Sequence, residues 1–273
     1  MHDRVSVSAI SSFRWDLARD LEFYTAAGIT NVGVSVAKLE AFGWDDGVRR
    51  VQEHGIRATN LIGLGPFHLD DPTQWPIQRA RLDRALDAAE ALQAETIVFT
   101  TGPAGALTWE EAADNLERAI APILERARLI GVPFAIEHTN PLRVDVGFVH
   151  TLRDDVDLAR RLGTGVCVEL NACWAERNVA ATIRDAVDVM RLVQVSDFRI
   201  GTLNTPNRLV PGDGDVPLGR LIGEVLDAGY TGVFDLELIG PAIDDEGYES
   251  AVTRSITWLT NALTPRGVSE PHI

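Results

Sequence analysis

Two hydrophobic periods alternate along this chain. Short runs in which every second residue is apolar are followed by longer runs with apolar residues three and four apart. The first pattern belongs to strands and the second to helices packed along one stripe. The strands predicted are Val5–Ile10, Asn31–Val36, Arg57–Leu64, Glu95–Thr101, Pro133–His138, Thr164–Leu170, Leu192–Asp197 and Gly232–Ile239. Helices are predicted over Trp15–Ala27, from the second strand to His54, and over Pro76–Leu92, Thr108–Ile130, Phe148–Leu162, Asn178–Met190, Leu218–Ala228 and Tyr248–Leu263. Leu82, Leu86, Ala89 and Leu92 share one face of their helix. Pro122 falls inside another and predicts a kink or a junction of two helices there. Glycines 28, 55, 131, 163 and 229 close helices just before strands.

Strand–helix units repeated in this way, with no linker or composition shift, predict a parallel (β/α)8 TIM barrel. A doubly wound open sheet is the alternative. The expected domain spans residues 1–264, with a loose tail over 265–273.

Strand parity says which side chains face the barrel axis. If Phe134 and Ile136 pack outward, Glu137 turns in; if Val166, Val168 and Leu170 pack outward, Glu169 turns in. Val193 and Val195 outward leave Gln194 inside, and Phe234, Leu236 and Leu238 outward leave Asp235 and Glu237 inside. Four consecutive strands thus aim oxygen-bearing side chains at the end of the barrel where such folds place their chemistry. Carboxylates brought together in a dry cavity repel one another, and a divalent cation is the usual remedy. An all-oxygen set favours Mn²⁺ or Mg²⁺, with Co²⁺ or Zn²⁺ as alternatives. The acids could instead pair with a buried arginine.

Length and composition change this picture little: 273 residues, 45% hydrophobic and 24% charged, suit a globular barrel. The net charge of −15 argues against nucleic acid, whose phosphates are bound through Lys and Arg. No apolar run is long enough to cross a bilayer, and the first residues do not resemble a secretory signal. Two cysteines without CxxC spacing, Cys167 and Cys173, suit a reduced cytoplasmic location. The expected partner is a small-molecule substrate. A homo-oligomer remains open.

The segments FAIEHTNP, GVCVELNACW, VQVSD, RLVPGDGDVPL and AGYTGVFDLEL resemble successive motifs of the sugar isomerase and epimerase-like barrels related to xylose isomerase and endonuclease IV. The resemblance runs through most of the chain and is most specific over residues 133–240. It implies one divalent metal held by Glu137, Glu169, Gln194 and Glu237. Glu169 stands where that family usually has Asp, and Gln194 where it usually has His. Ala172 and Asn140 likewise occupy positions often filled by His. Glu137 and Glu237 are then the catalytic pair, moving a proton on a small polyhydroxylated carbonyl compound (a sugar, keto-sugar or cyclitol) through a metal-bound enediolate. The same enolate chemistry would serve a lyase or dehydratase acting on a keto-inositol or 3-keto-glycoside. A metal-free binding barrel is a further alternative. A nuclease of the endonuclease branch would need more His and Asp ligands and a basic face.

Expected substrate contacts are Arg208, carried on the long loop between Val193 and Pro217, together with His68, Asn140, His138 and Trp174. Phe67 is a candidate wall residue. His138 has the opposite parity to Glu137, which points it toward the helix layer. Asp213 and Asp215 are expected to cap their turn and the helix that follows. Cys173 reads as inert, and a sugar phosphate is disfavoured because the strand ends carry no cluster of Lys or Arg.

Overall fold

The structure, a computed structural model, describes residues 1–264; the expected tail lies outside the described residues. Eight strands close a parallel barrel in sequence order: β1 (Val5–Ser8), β2 (Asn31–Ser35), β3 (Arg57–Leu64), β4 (Ile97–Thr100), β5 (Phe134–Glu137), β6 (Gly165–Glu169), β7 (Met190–Val195) and β8 (Phe234–Leu236). The last strand pairs back onto the first through Val5 with Phe234 and Val7 with Leu236. This closure excludes the open sheet.

The helices are α1 (Leu17–Ala27), α2 (Val36–Phe42), α3 (Trp44–Glu53), α4 (Trp75–Leu92), α5 (Trp109–Ile130), α6 (Leu152–Leu162), α7 (Leu170–Cys173), α8 (Val179–Ala186), α9 (Leu218–Asp227), α10 (Pro241–Glu246) and α11 (Tyr248–Leu263). Alternation along the strands builds two cores. Ile62, Val98, Ala135, Cys167, Leu192 and Val233 form one small buried cluster, inside the barrel. Their sequence neighbours, among them Ile136, Val166, Val193 and Phe234, join the larger core between strands and helices. The interior hydrophobic cluster is a floor, and the residues two further along β5, β6, β7 and β8 stand on it.

Three departures from the expected elements have local causes. The single helix expected up to His54 is two, because Gly43 adopts φ +100, outside helical space and open to glycine alone at no steric cost. The first strand stops at Ser8, whose hydroxyl accepts from the Ile10 amide and starts a 3-10 turn over Ala9–Ser12. Helix α5 runs unbroken through Pro122. Proline has no N–H for the Arg118 carbonyl four residues back, and Arg79 of α4 supplies the missing donor through Nη2 at 2.8 Å, with Nε on Ala119 at 2.6 Å.

Candidate active site

At the C-terminal ends of β5, β6 and β8, a cavity of about 580 Å³ is lined by Glu137, Glu169 and Glu237. One oxygen from each carboxylate lies within 4.8 Å of the others. Two like charges about 4 Å apart repel by roughly 4 kcal/mol at an effective dielectric of 20, so three ionised carboxylates require a compensating charge. Part of it is Arg208. Its Nη1 stands 2.7 Å from Glu169 Oε2 and 2.9 Å from Glu237 Oε2, and donates to the Glu237 carbonyl at 3.1 Å. Burial opposes the charge of Arg208, but Glu169, Glu237 and Glu137 outweigh it and hold the guanidinium protonated more firmly than usual. Burial raises the proton affinity of Glu137 well above that of an ordinary carboxyl, and the charges of Glu237 and Glu169 add to it. Burial raises that of Glu237 too, with Arg208 pulling against it.

The loop carrying Arg208 is fixed by a residue whose role the sequence did not disclose. Asp197, just past β7 and buried, accepts the backbone N–H groups of Phe198, Gly212 and Val216 at 2.8, 2.9 and 3.0 Å. Its own backbone exchanges two hydrogen bonds with Leu209 at 3.0 Å, while the Arg208 amide donates to Ile239 at 2.9 Å. The main chain of Arg208 is therefore clamped between the ends of β7 and β8. Neither Asp213 nor Asp215 caps α9, whose N-cap position is Pro217 and which has no side-chain cap. Asp213 is drawn away by Arg254, which contacts both its oxygens, and Asp215 accepts the Ile200 amide at 2.9 Å.

Beside the carboxylates, in register with Glu169, sit further buried polar groups. Gln194 is fully buried close to Glu237, and neither atom of its amide makes a well-aligned hydrogen bond. Asp235 pairs in register with it and lies near Ser6 and Asn60, its oxygens likewise without a well-aligned donor. Burial pushes the Asp235 carboxyl up to about 7. Gly33 packs against these groups: a Cβ there would stand 2.8 Å from Asn60 Nδ2 and 3.0 Å from Asp235 Oδ2.

Of the expected substrate contacts, Arg208, Asn140 and His138 line the cavity. Asn140 Oδ1 accepts the Leu142 amide at 2.9 Å, which folds the loop after β5. His138 is fully buried; its ring enters the layer behind β5, with Nδ1 3.3 Å from Asp155 Oδ2, as its parity implies. Burial works against its charge, but Asp155 and Cys173 raise its proton affinity well above the usual imidazole range. His68 and Trp174 lie outside the cavity wall. Phe67 turns into the core against Phe99, which leaves His68 facing solvent, and Trp174 packs half-buried on the apolar core beside α7. Apolar contributions to the wall come instead from Ile10, Phe13, Leu142, Phe198 and Ile239. Phe13 and Leu142 are exposed despite being large and apolar, a feature that only the folded chain reveals.

A divalent cation fits the donors present. Three carboxylate oxygens lie within reach of one ion, and the adjacent Gln194 amide is buried without a well-aligned hydrogen bond. Among the described residues no helix is long and apolar enough to cross a membrane.

The sequence matches the xylose isomerase-like TIM-barrel family over residues 16–262. No curated protein matches the chain. A protein of Sinorhizobium meliloti 1021 superposes with a TM-score of 0.83 at 22% identity, covering 96% of this chain and 99% of that one. The IOLI protein, solved with a bound zinc atom, gives 0.80 at 16% identity over 95% and 98% of the two chains. D-psicose 3-epimerase from Clostridium cellulolyticum H10, solved with D-tagatose, gives 0.76 at 15% identity over 96% and 100%.

Proposed function

The chain belongs to the xylose isomerase-like TIM-barrel family, and on that premise we propose that it is an isomerase or epimerase of a small, uncharged, polyhydroxylated carbonyl compound, working with one divalent cation. The observation that carries this reading is the pair Glu137 and Glu237, at the ends of β5 and β8 within the carboxylate cluster, both with raised proton affinities and unequal surroundings. The structural relatives include a sugar epimerase solved with a ketose and a protein solved with zinc, which supports the same direction.

Glu137, Glu169 and Glu237 would hold the ion, with the Gln194 amide oxygen as a neutral fourth donor. When bound, the ion supplies Lewis acidity to the substrate carbonyl and its neighbouring hydroxyl. The proton transfers belong to the protein. Arg208 stands beside Glu237 and makes no ion pair with Glu137, and its main chain is bonded to Ile239 just past Glu237, so its charge stays nearer Glu237 and a proton shared by the two settles on Glu137. Glu237 is then the base that takes the proton α to the carbonyl, and Glu137 the acid that returns one. Groups whose environments push their proton affinities apart divide acid and base roles in this way. The remaining nitrogens of Arg208 face a cavity of a size suited to a small ligand.

An uncharged substrate follows from the cations on the wall. Arg143 is engaged by both oxygens of Asp145, and Arg208 by the glutamates. No other lysine or arginine lines the cavity among the described residues, so Arg208 alone is within reach of a substrate, fewer cations than a phosphate usually recruits.

The test is to incubate the Mn²⁺-loaded protein with ketoses, aldoses, inosose-type cyclitols and keto-glycosides in D₂O and follow the protons by NMR. Deuterium incorporation next to a carbonyl with conserved mass of the carbon skeleton supports the proposal. Uptake accompanied by loss of water or an aglycone would assign elimination instead. No exchange with any substrate class would remove the reading.

A further inference from the structure

Both oxygens of Glu169 have a close neighbour, although Oε2 makes no well-aligned hydrogen bond. Oε1 accepts the Asn171 amide at 3.2 Å, and Oε2 is 2.7 Å from Arg208 Nη1. The same nitrogen holds Glu237 Oε2 at 2.9 Å. These are two of the three carboxylates that can hold a cation. A divalent ion on the oxygens now held by Nη1 would stand within contact distance of a guanidinium, and two positive groups that close repel strongly in a buried site. The clamped main chain of Arg208 prevents retreat of the loop. Only the side chain can turn away, and it borders the open cavity.

We propose that Arg208 is a resident competitor for the metal ion: its guanidinium and the ion take the same oxygens of Glu169 and Glu237, so the ion is held only as the arginine releases them. This rests on the cation-dependent reading above. Gln194 reinforces it, since a neutral amide adds little to the pull on an incoming ion. The released guanidinium remains at the cavity wall, where it faces the substrate, so metal loading and arming of the substrate-binding arginine become one event.

The experiment is calorimetric titration of Mn²⁺ into the chelator-stripped full chain, for the wild type, Arg208→Met, Arg208→Gln, Arg208→Lys and Glu237→Gln. Competition predicts tighter binding by roughly ten-fold or more in both neutral Arg208 variants. Arg208→Lys, which keeps the charge, stays near the wild type, and Glu237→Gln binds more weakly than any. Circular dichroism establishes that each variant is folded, and Arg208→Gln keeps a polar planar end should Arg208→Met fold poorly. Equal or weaker Mn²⁺ binding in the folded neutral variants overturns the competition and leaves the cation-dependent reading intact. Absence of Mn²⁺ binding in every protein, wild type included, overturns both.

Discussion

Nη1 of Arg208 lies 2.9 Å from Glu237 Oε2 and forms no ion pair with Glu137. That asymmetry separates two otherwise similar glutamates, and it depends on a guanidinium carried by main chain fixed beside Glu237. A lysine offers a point charge on a flexible stem, without the fork that leaves other nitrogens free for substrate. Arg208→Lys is therefore expected to raise KM ten-fold or more, with the melting temperature little changed. Steady-state kinetics beside a thermal melt check this.

Asp235 gives the fold a pH dependence. Its folded-state value of about 7 lies above the ordinary 3.8. The folded form thus holds the proton more tightly, and the associated stability is full below 3.8 and is lost as pH rises through 7. Each unit in that window corresponds to about 1.4 kcal/mol. Asp235→Asn should be more stable than the wild type at pH 8.5 by on the order of 2 to 4 kcal/mol and close to it at pH 4. Urea unfolding at the two pH values, in chelator, measures the difference; a gap that does not close on acidification contradicts the account.

Arg79 and Pro122 meet at the Arg118 carbonyl, which the proline leaves without a helical N–H and the arginine supplies with a donor. Arg79→Ala leaves the Arg118 carbonyl without a donor and is expected to cost about 1 kcal/mol. In a Pro122→Ala background the helix provides its own N–H, and the cost of losing Arg79 should shrink. A double-mutant cycle reads the coupling directly.

Asp197 holds the loop through three backbone N–H groups. Asp197→Ala leaves the buried Val216 amide and the part-buried Phe198 and Gly212 amides without their acceptor, at an expected cost of about 2 to 3 kcal/mol. Because the same loop aims Arg208, turnover should fall by more than the stability loss explains. Activity measured well below the melting transition separates the two effects.

The barrel and the facing of its acids were legible because both follow from alternation. Parity alone set Ala135, Cys167 and Leu192 on the floor and Glu137, Glu169 and Glu237 above it. What stayed hidden depends on contacts distant in sequence. The donor that replaces the Pro122 N–H comes from Arg79, on another helix. Arg208 reads from the sequence as a loop residue free to bind substrate, and only folding shows it already holding two glutamates. The outward turn of His68 is set by Phe67 finding Phe99, a contact that spacing cannot show.

The division of labour between Glu137 and Glu237 is the central claim, and solvent exchange in single variants tests it most directly. With a substrate identified by screening, Glu137→Gln and Glu237→Gln are each incubated, metal-loaded, in D₂O, and deuterium uptake is followed beside product formation. The account predicts that both lose product formation by about 10² or more. Glu137→Gln, which retains the base, should still exchange the α proton, whereas Glu237→Gln should not. Product formation near the wild-type rate in either variant, or exchange surviving in Glu237→Gln, would contradict it.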